Sequence, residues 1–308
     1  MNSCLNDTRS NSLIMNNKSN LIYIHSAVFL FGLAGLFAKL IDLSSTIIVL
    51  GRVTFATLAL GITLLILKQS IKLSKQKDYF LMIVTGFILV IHWVSFFQAI
   101  KTSTVAIGLL SFSTFPVFST FLEPLLFKEK LKLKALIVAL ISFSGVVMII
   151  PTLHLNNNIT PGVLWGVLSG FTFALLSILN RKLVAQYSAL VVAFYQDFIA
   201  FLILLPLLFI EKPPLNSTNI LLLVLLGIVF TAVAHSLFIR GLSTIKAQTA
   251  SIIANLEPVY GIIFAVIILS EVPTVRVIIG GTIILGAALY STINAGNLPT
   301  SKKRGIIR

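Results

Sequence analysis

Two stretches of this chain repeat one another. Ser103 to Leu131 reads STVAIGLLSFSTFPVFSTFLEPLLFKEKL, and Ile245 to Pro273 reads IKAQTASIIANLEPVYGIIFAVIILSEVP. Pro116 falls on Pro258 and Glu129 on Glu271, each 142 residues further on. Both copies are apolar runs interrupted near the middle by proline and closed by a turn with glutamate. Proline has no N–H, so inside a helix Pro116 frees the carbonyl of Phe112 and Pro258 that of Ala254. In hydrocarbon a freed carbonyl must be satisfied by protein or water. The chain is therefore limited to folds with two alike halves, each carrying a broken helix at the same place.

Composition fixes the solvent. The chain is 57% hydrophobic and only 10% charged, with a mean hydropathy of +1.03. A soluble domain carries about 25% charged residues. Apolar stretches of about twenty residues, enough to cross a bilayer core, recur from Leu21 to Asn294. The spacing predicts an all-α membrane protein of ten transmembrane helices. They fall near 21–40, 45–67, 79–100, 104–127 and 132–150 in a first repeat (21–150). In a second repeat (161–294) they fall near 161–180, 188–210, 219–240, 247–269 and 274–294. A polar, Asn-rich external linker (151–160) joins the repeats. Residues 1–20 and 295–308 read as cytoplasmic tails. The first twenty residues lack the apolar core of a signal peptide, so the first helix serves as insertion signal.

Charge gives the orientation. Of 23 Lys and Arg, all but Lys39, Arg52, Lys101, Lys212 and Arg276 fall on one side when the N-terminus is cytoplasmic, a positive-inside bias. The net charge of +14 is thus a topology signal, with anionic lipid contact as a by-product, and implies no nucleic-acid partner. Five spans per half return the chain to the opposite side. The second half then runs inverted, and one fold can open to either side of the membrane.

Several pieces now come together in order: FGLAGLFAKL (31–40), Arg52 within LGRVTFATLAL, the two proline-to-glutamate segments, ILNRKL (178–183) and VIIGGTIILGAALY (277–290). In these the chain resembles the EamA-type, ten-helix members of the drug/metabolite transporter superfamily, over about 21–294. Phe31 stands where that family usually has tryptophan. The resemblance implies a secondary transporter of a bacterial inner membrane with a central cavity between helices 1, 3, 4, 6, 8 and 9. It also implies peripheral helices 5 and 10, through which some members form homodimers.

The residues themselves nominate a site. Small polar groups crowd the two breaks: Ser111, Ser113 and Thr114 in the fourth helix, Ser251, Asn255 and Glu257 in the ninth. Pro116 and Pro258 are candidate hinges. The third helix carries HWVSFFQ, placing His92, Trp93, Ser95, Phe96 and Gln98 close to the midplane, and His235 in the eighth helix is one residue out of register with His92. Each histidine reads either as a cavity residue or as a donor to a neighbouring helix. Ionisable groups inside spans need a reason. Glu257 can bind a cationic substrate group, carry a coupling proton, or pair with Arg52, Lys39 or a polar neighbour. Asp197 reads as bonded to Tyr195-side neighbours or to another helix, or as functional; the resemblance implies that its helix lies outside the main cavity. Arg52 reads as a structural partner or interfacial anchor, Lys39 as snorkelling outward, and Glu123 as an interface pair near Lys128 and Lys130. Glu129 and Glu271 read as holding the start of the helix that follows each. Gly166 and Gly170 form a GxxxG, and Gly281, Thr282 and Gly286 a small face, within the bundle or between protomers.

The single cysteine, Cys4, makes no disulfide or thiolate metal site, and no HExxH, P-loop or GxSxG occurs. The expectation is a carrier, without cofactor or metal, for an amino acid or related compound. A multispanning enzyme acting on a lipid-linked substrate is the alternative.

Overall fold

The computed structural model describes residues 19–127, 133–149, 159–214, 216–245 and 247–296. Every described element is helical: α1 (Ser19–Leu40), α2 (Ser45–Ile66), α3 (Gln76–Thr102), α4a (Val105–Phe112), α4b (Phe115–Phe127), α5 (Leu133–Ile149), α6 (Ile159–Val184), α7 (Ala189–Glu211), α8 (Ser217–Gly241), α9a (Ala247–Ala254), α9b (Glu257–Leu269) and α10 (Val275–Gly296). Among the described residues, seven helices are long and apolar enough to cross a membrane, and shorter apolar helices cover Leu140–Ile149, Glu257–Leu269 and Val275–Ala287. Outward faces are apolar, with Leu65, Phe80, Ile210 and Ile267 each about 70% exposed or more, as a lipid-facing surface requires. Cys4, Glu129, Lys128, Lys130 and most of the 151–160 linker lie outside the described residues.

Local signals set the helix starts. Ser44 accepts from Ile47 N–H at 3.2 Å, Thr104 from Ile107 N–H at 3.2 Å, Ser188 from Val191 N–H at 3.3 Å and Asn216 from Asn219 N–H at 2.7 Å. Each satisfies a donor that the first turn leaves without a helical partner. α6 starts at Ile159, before the expected 161, because Pro161 is tolerated in a first turn. It runs on to Val184 through Arg181 and Lys182, whose long stems can lie along the bundle end.

The broken helices differ from a simple proline kink. α4a stops at Phe112 and α4b restarts at Phe115, so Pro116 lies in the first turn of the second half, where no N–H is needed. α9a and α9b do the same around Asn255–Leu256, with Pro258 in the first turn of α9b. The two breaks share one hydrogen-bond pattern. Ser113 N–H reaches Leu109 O at 3.0 Å and Thr114 N–H tightens onto Ser111 O at 3.3 Å. Asn255 N–H reaches Ser251 O at 3.2 Å and Leu256 N–H tightens onto Ile253 O at 3.0 Å. The repeat is thus preserved at the level of single backbone bonds.

Glycines bring the halves together at these breaks. A Cβ on Gly170 of α6 would lie 2.7 Å from Phe112 O, and one on Gly166 would lie 2.5 Å from Ser111 Cβ. A Cβ on Gly32 of α1 would lie 2.9 Å from Glu257 O and 3.2 Å from Gly261 N. The first helix of each repeat is therefore seated on the broken helix of the other. Gly166 and Gly170 pack inside the bundle. Gly145 of α5 and Gly280 of α10 face each other, a Cβ on either lying under 3 Å from the other's carbonyl. Gly281 meets Leu110, while Gly286 has open space.

Overpacking at a backbone contact costs about 1–3 kcal/mol. Gly170→Ala and Gly32→Ala should therefore each lower the melting temperature in detergent, whereas Gly286→Ala should leave it unchanged. Equal melting of all three would contradict this packing.

Candidate functional site

A cavity of about 30 Å³ lies in the middle of the bundle, lined by Phe31, Ala34, Arg52, Leu89, His92, Trp93, Phe96, Phe112, Phe173, Leu176, His235 and Glu257. It has room for water and none for an organic solute; ligand pockets run to ~300–1,000 Å³. Of the residues nominated from sequence, the fold brings His92, Trp93, Phe96, His235 and Glu257 to this wall. Ser111, Ser113 and Asn255 are buried at the breaks and are not among its lining residues. Ser113 Oγ donates to Leu109 O at 2.9 Å, healing its own turn. Both polar atoms of the Asn255 side chain are buried without a partner. The two broken helices touch directly, Ser251 Oγ of α9a lying 3.4 Å from Ser119 Oγ of α4b.

His92 is both a wall residue and an interhelical tie. Its Nδ1 lies 3.1 Å from Ser169 O and 2.9 Å from Ser169 Oγ. A carbonyl only accepts, so the contact with Ser169 O is a hydrogen bond in the tautomer that carries its proton on Nδ1, and the Ser169 hydroxyl can donate to Nδ1 in the other. Around it Phe96, Phe112 and Phe173 pack edge-on or tilted, with Phe112 and Phe173 centroids 5.3 Å apart. Ser95 bonds back to Ile91 O, and Gln98 accepts from Ser45 Oγ at 2.7 Å, tying α3 to the start of α2.

Arg52 departs furthest from the sequence reading. It is 2% exposed, so it is no interfacial anchor, and it lies on the cavity wall. Its Cζ stacks 3.9 Å from the centre of the Trp93 ring, a contact worth about 2 kcal/mol when desolvated. Its Nε donates to Thr231 Oγ1 at 2.9 Å and an Nη to Phe230 O at 3.4 Å. Those acceptors are offered by a π-helical stretch of α8, Ile228–Val233, where Thr231 Oγ1 also donates to Leu226 O at 2.7 Å. A π-turn holds one extra residue. That extra residue matches the one-residue offset between His92 and His235 and returns both histidines to the same wall.

Behind the wall lies Asp197 of α7, fully buried, with His235 Nδ1 at 3.8 Å from Oδ1. It bonds to nothing else: both its oxygens, and both ring nitrogens of His235, have no hydrogen-bond partner. The Trp93 ring stands edge-on to His235 at 5.4 Å. Sequence reasoning leaves out Arg52, Phe112 and Phe173 as wall residues, while Asp197 faces another helix and stands off the wall, as one of its two readings has it. The signal for the two charged ones is depth in an apolar span.

At one end of the bundle, Glu271 does not hold the start of α10. It accepts from Val105 N–H at 2.9 Å, capping α4a, and stands 3.9 Å from Lys39 Nζ. Lys39 turns inward and donates to Ser103 O at 2.8 Å. Near the other end, Glu123 pairs with Arg181 at 2.8 Å. Among the described residues no cluster of His, Cys, Asp and Glu could hold a metal.

Comparison with known proteins accounts for this architecture. The model of the EamA-like transporter family matches residues 18–150 and 160–293, once for each repeat. The chain belongs to this family. It is similar to an uncharacterized transporter of Bacillus subtilis (strain 168), 28% identical over 77% of this chain and 78% of the relative. An S-adenosylmethionine uptake transporter of Rickettsia prowazekii (strain Madrid E) is 24% identical over 72% of this chain and 74% of that protein. A solved crystal structure superposes with a TM-score of 0.66 at 17% identity, covering 92% of this chain and all of the other. That likeness speaks to the fold. The family and the relatives make this chain a multi-pass membrane transporter of small molecules rather than an enzyme.

Arg52→Gln removes the stacking on Trp93 and the buried cation nearest the wall's carboxylate, and charge-assisted hydrogen bonds of the kind made to Thr231 are worth about 1.5–3 kcal/mol. Arg52→Gln should melt well below the parent, and Arg52→Gln with Asp197→Asn should recover part of the loss. Strict additivity of the two single changes would show that the groups are not coupled.

Proposed function

We propose that this EamA-like transporter is a secondary carrier of a bacterial inner membrane, moving an amino acid or related compound by alternating access. The observation that carries this is the central cavity lined by a guanidinium, Arg52, a carboxylate, Glu257, and aromatic rings, beside a duplicated pair of broken helices. A zwitterionic head group offers a carboxylate to the first and an ammonium to the second, and the phenylalanines suit an apolar or planar side group. S-adenosylmethionine, named for the Rickettsia relatives, carries an amino-acid head of this kind.

In this reading ten helices cross the membrane as two inverted five-helix repeats with both termini cytoplasmic. The end holding Lys39 and Glu271 faces outward. His92, Trp93, Phe96, His235 and Glu257 contact the solute when the cavity opens. Ser111, Ser113 and Asn255 supply polar groups at the breaks, and Pro116 and Pro258 keep those breaks mobile.

Topology is tested with single cysteines at Asn157 and Lys75 in a Cys4→Ser background. An impermeant thiol reagent should label position 157 and not position 75 in intact cells; the opposite pattern would sink the inverted arrangement.

Transport is tested in proteoliposomes with radiolabelled S-adenosylmethionine and a set of labelled amino acids. At least one should accumulate or exchange through the parent protein. Glu257→Gln, folded by its melting curve, should lower uptake at least tenfold. Pro116→Ala and Pro258→Ala should insert normally and turn over more slowly, because alanine lets the two half-helices join into one continuous helix and so favours one state of the cycle. Parental flux in Glu257→Gln would remove the carboxylate from the site.

A further inference from the structure

We propose that Asp197 and His235 form a proton-binding site in which Asp197 lies behind the cavity wall and His235, itself a wall residue, joins it to the cavity. The inference goes beyond the carrier reading and draws only its coupling consequence from it.

The geometry has three parts. First, Asp197 is fully buried, and both of its oxygens lack hydrogen-bond partners. A carboxylate so placed needs a cation or a proton beside it. Second, the nearest candidate is the His235 imidazole, 3.8 Å away, whose two nitrogens are equally without hydrogen-bond partners. His235 also lies on the cavity wall, so one ring faces Asp197 and the space a solute or water would fill. Third, the charges do not balance. Among the described residues Arg52 of α2 is the one permanent cation on the cavity wall, against two buried carboxylates, Asp197 of α7 and Glu257 of α9b, and no ion pair joins it to either.

The groups around the pair leave few other sources of positive charge. α2 contributes Arg52, held over Trp93 and bonded to Thr231. α3 contributes His92, whose Nδ1 is engaged by Ser169 of α6. α6 itself presents Asn180, which accepts from Gln196 Nε2 at 2.5 Å and carries no charge. α8 contributes His235, and α9b contributes Glu257, both lining the cavity.

The exchange is simple. A proton arriving from cavity water is taken by a free nitrogen of His235 and shared with an Asp197 oxygen. It returns along the same ring, with no other bond made or broken. A solute carboxylate drawn to Arg52 takes up the charge that otherwise compensates Asp197, so proton uptake at the pair and solute binding favour one another. This cooperation is the coupling consequence.

Infrared titration of the purified protein in bilayers decides the matter without a known solute. The parent should show a carboxylic-acid C=O band that appears and disappears with pH. Asp197→Asn should abolish it and Glu257→Gln should keep it. His235→Gln should move its midpoint, and this variant decides alone if Asp197→Asn does not fold. A parent without such a band, a band unchanged in Asp197→Asn, or a midpoint unmoved in His235→Gln would each overturn the proposal. In proteoliposomes, uptake of S-adenosylmethionine or amino acids should lose its response to an imposed pH gradient in Asp197→Asn. If no probe is carried by the parent while the Asp197 band is present, the choice of solute fails and the proton site stands.

Discussion

Inside a bilayer, burying one apolar helix against another gains little, because lipid tails are as apolar as leucine. Close backbone approach has to supply the cohesion instead. Gly32 and Gly170 supply it here, each letting the first helix of one repeat settle against the interrupted helix of the other. This exchange of partners between repeats fixes where the breaks at Ser113 and Asn255 stand, and so where the cavity lies. A side chain at either glycine would push the break and the wall residues apart together.

The second constraint is electrostatic. A guanidinium excluded from water is tolerable only when its donors and its charge are answered. Arg52 is answered in two ways: by the Trp93 ring, and by the carbonyl and hydroxyl offered by the π-turn of α8. Each comes from a different helix. Arg52 thus joins α2, α3 and α8 at one point and sets the polarity of the wall. Glu271 plays a similar joining part at the bundle end, where a loop of the second repeat caps a helix of the first.

Much of this architecture is legible in the amino-acid sequence. The duplicated segments locate both interrupted helices, and apolar run lengths place most helix bounds within a few residues. Local chemistry misleads in detail. Proline reads as the kink, yet the chain stops early so that proline can occupy a first turn, moving each break two or three residues toward the N-terminus. The one-residue offset between His92 and His235 is visible in the sequence, but only hydrogen bonding shows it as a π-turn. Arg52, Lys39, Glu123 and Glu271 are the hardest to read, because their partners lie far away in sequence and spacing carries no trace of them. Ser111, Ser113 and Asn255 are legible as break residues; their distance from the wall depends on how the half-helices rotate.

The ring lattice around the small central space bears on how such a site could work. His92, Phe96, Phe112 and Phe173 touch one another across three helices, and Phe173 continues through Phe238 to Phe31. No vestibule stands ready between them. Any guest has to wedge the rings apart, and the rings belong to α1, α3, α4a, α6 and α8. Admission and helix displacement are then one event, with the rings as a spring that closes again once the guest has left.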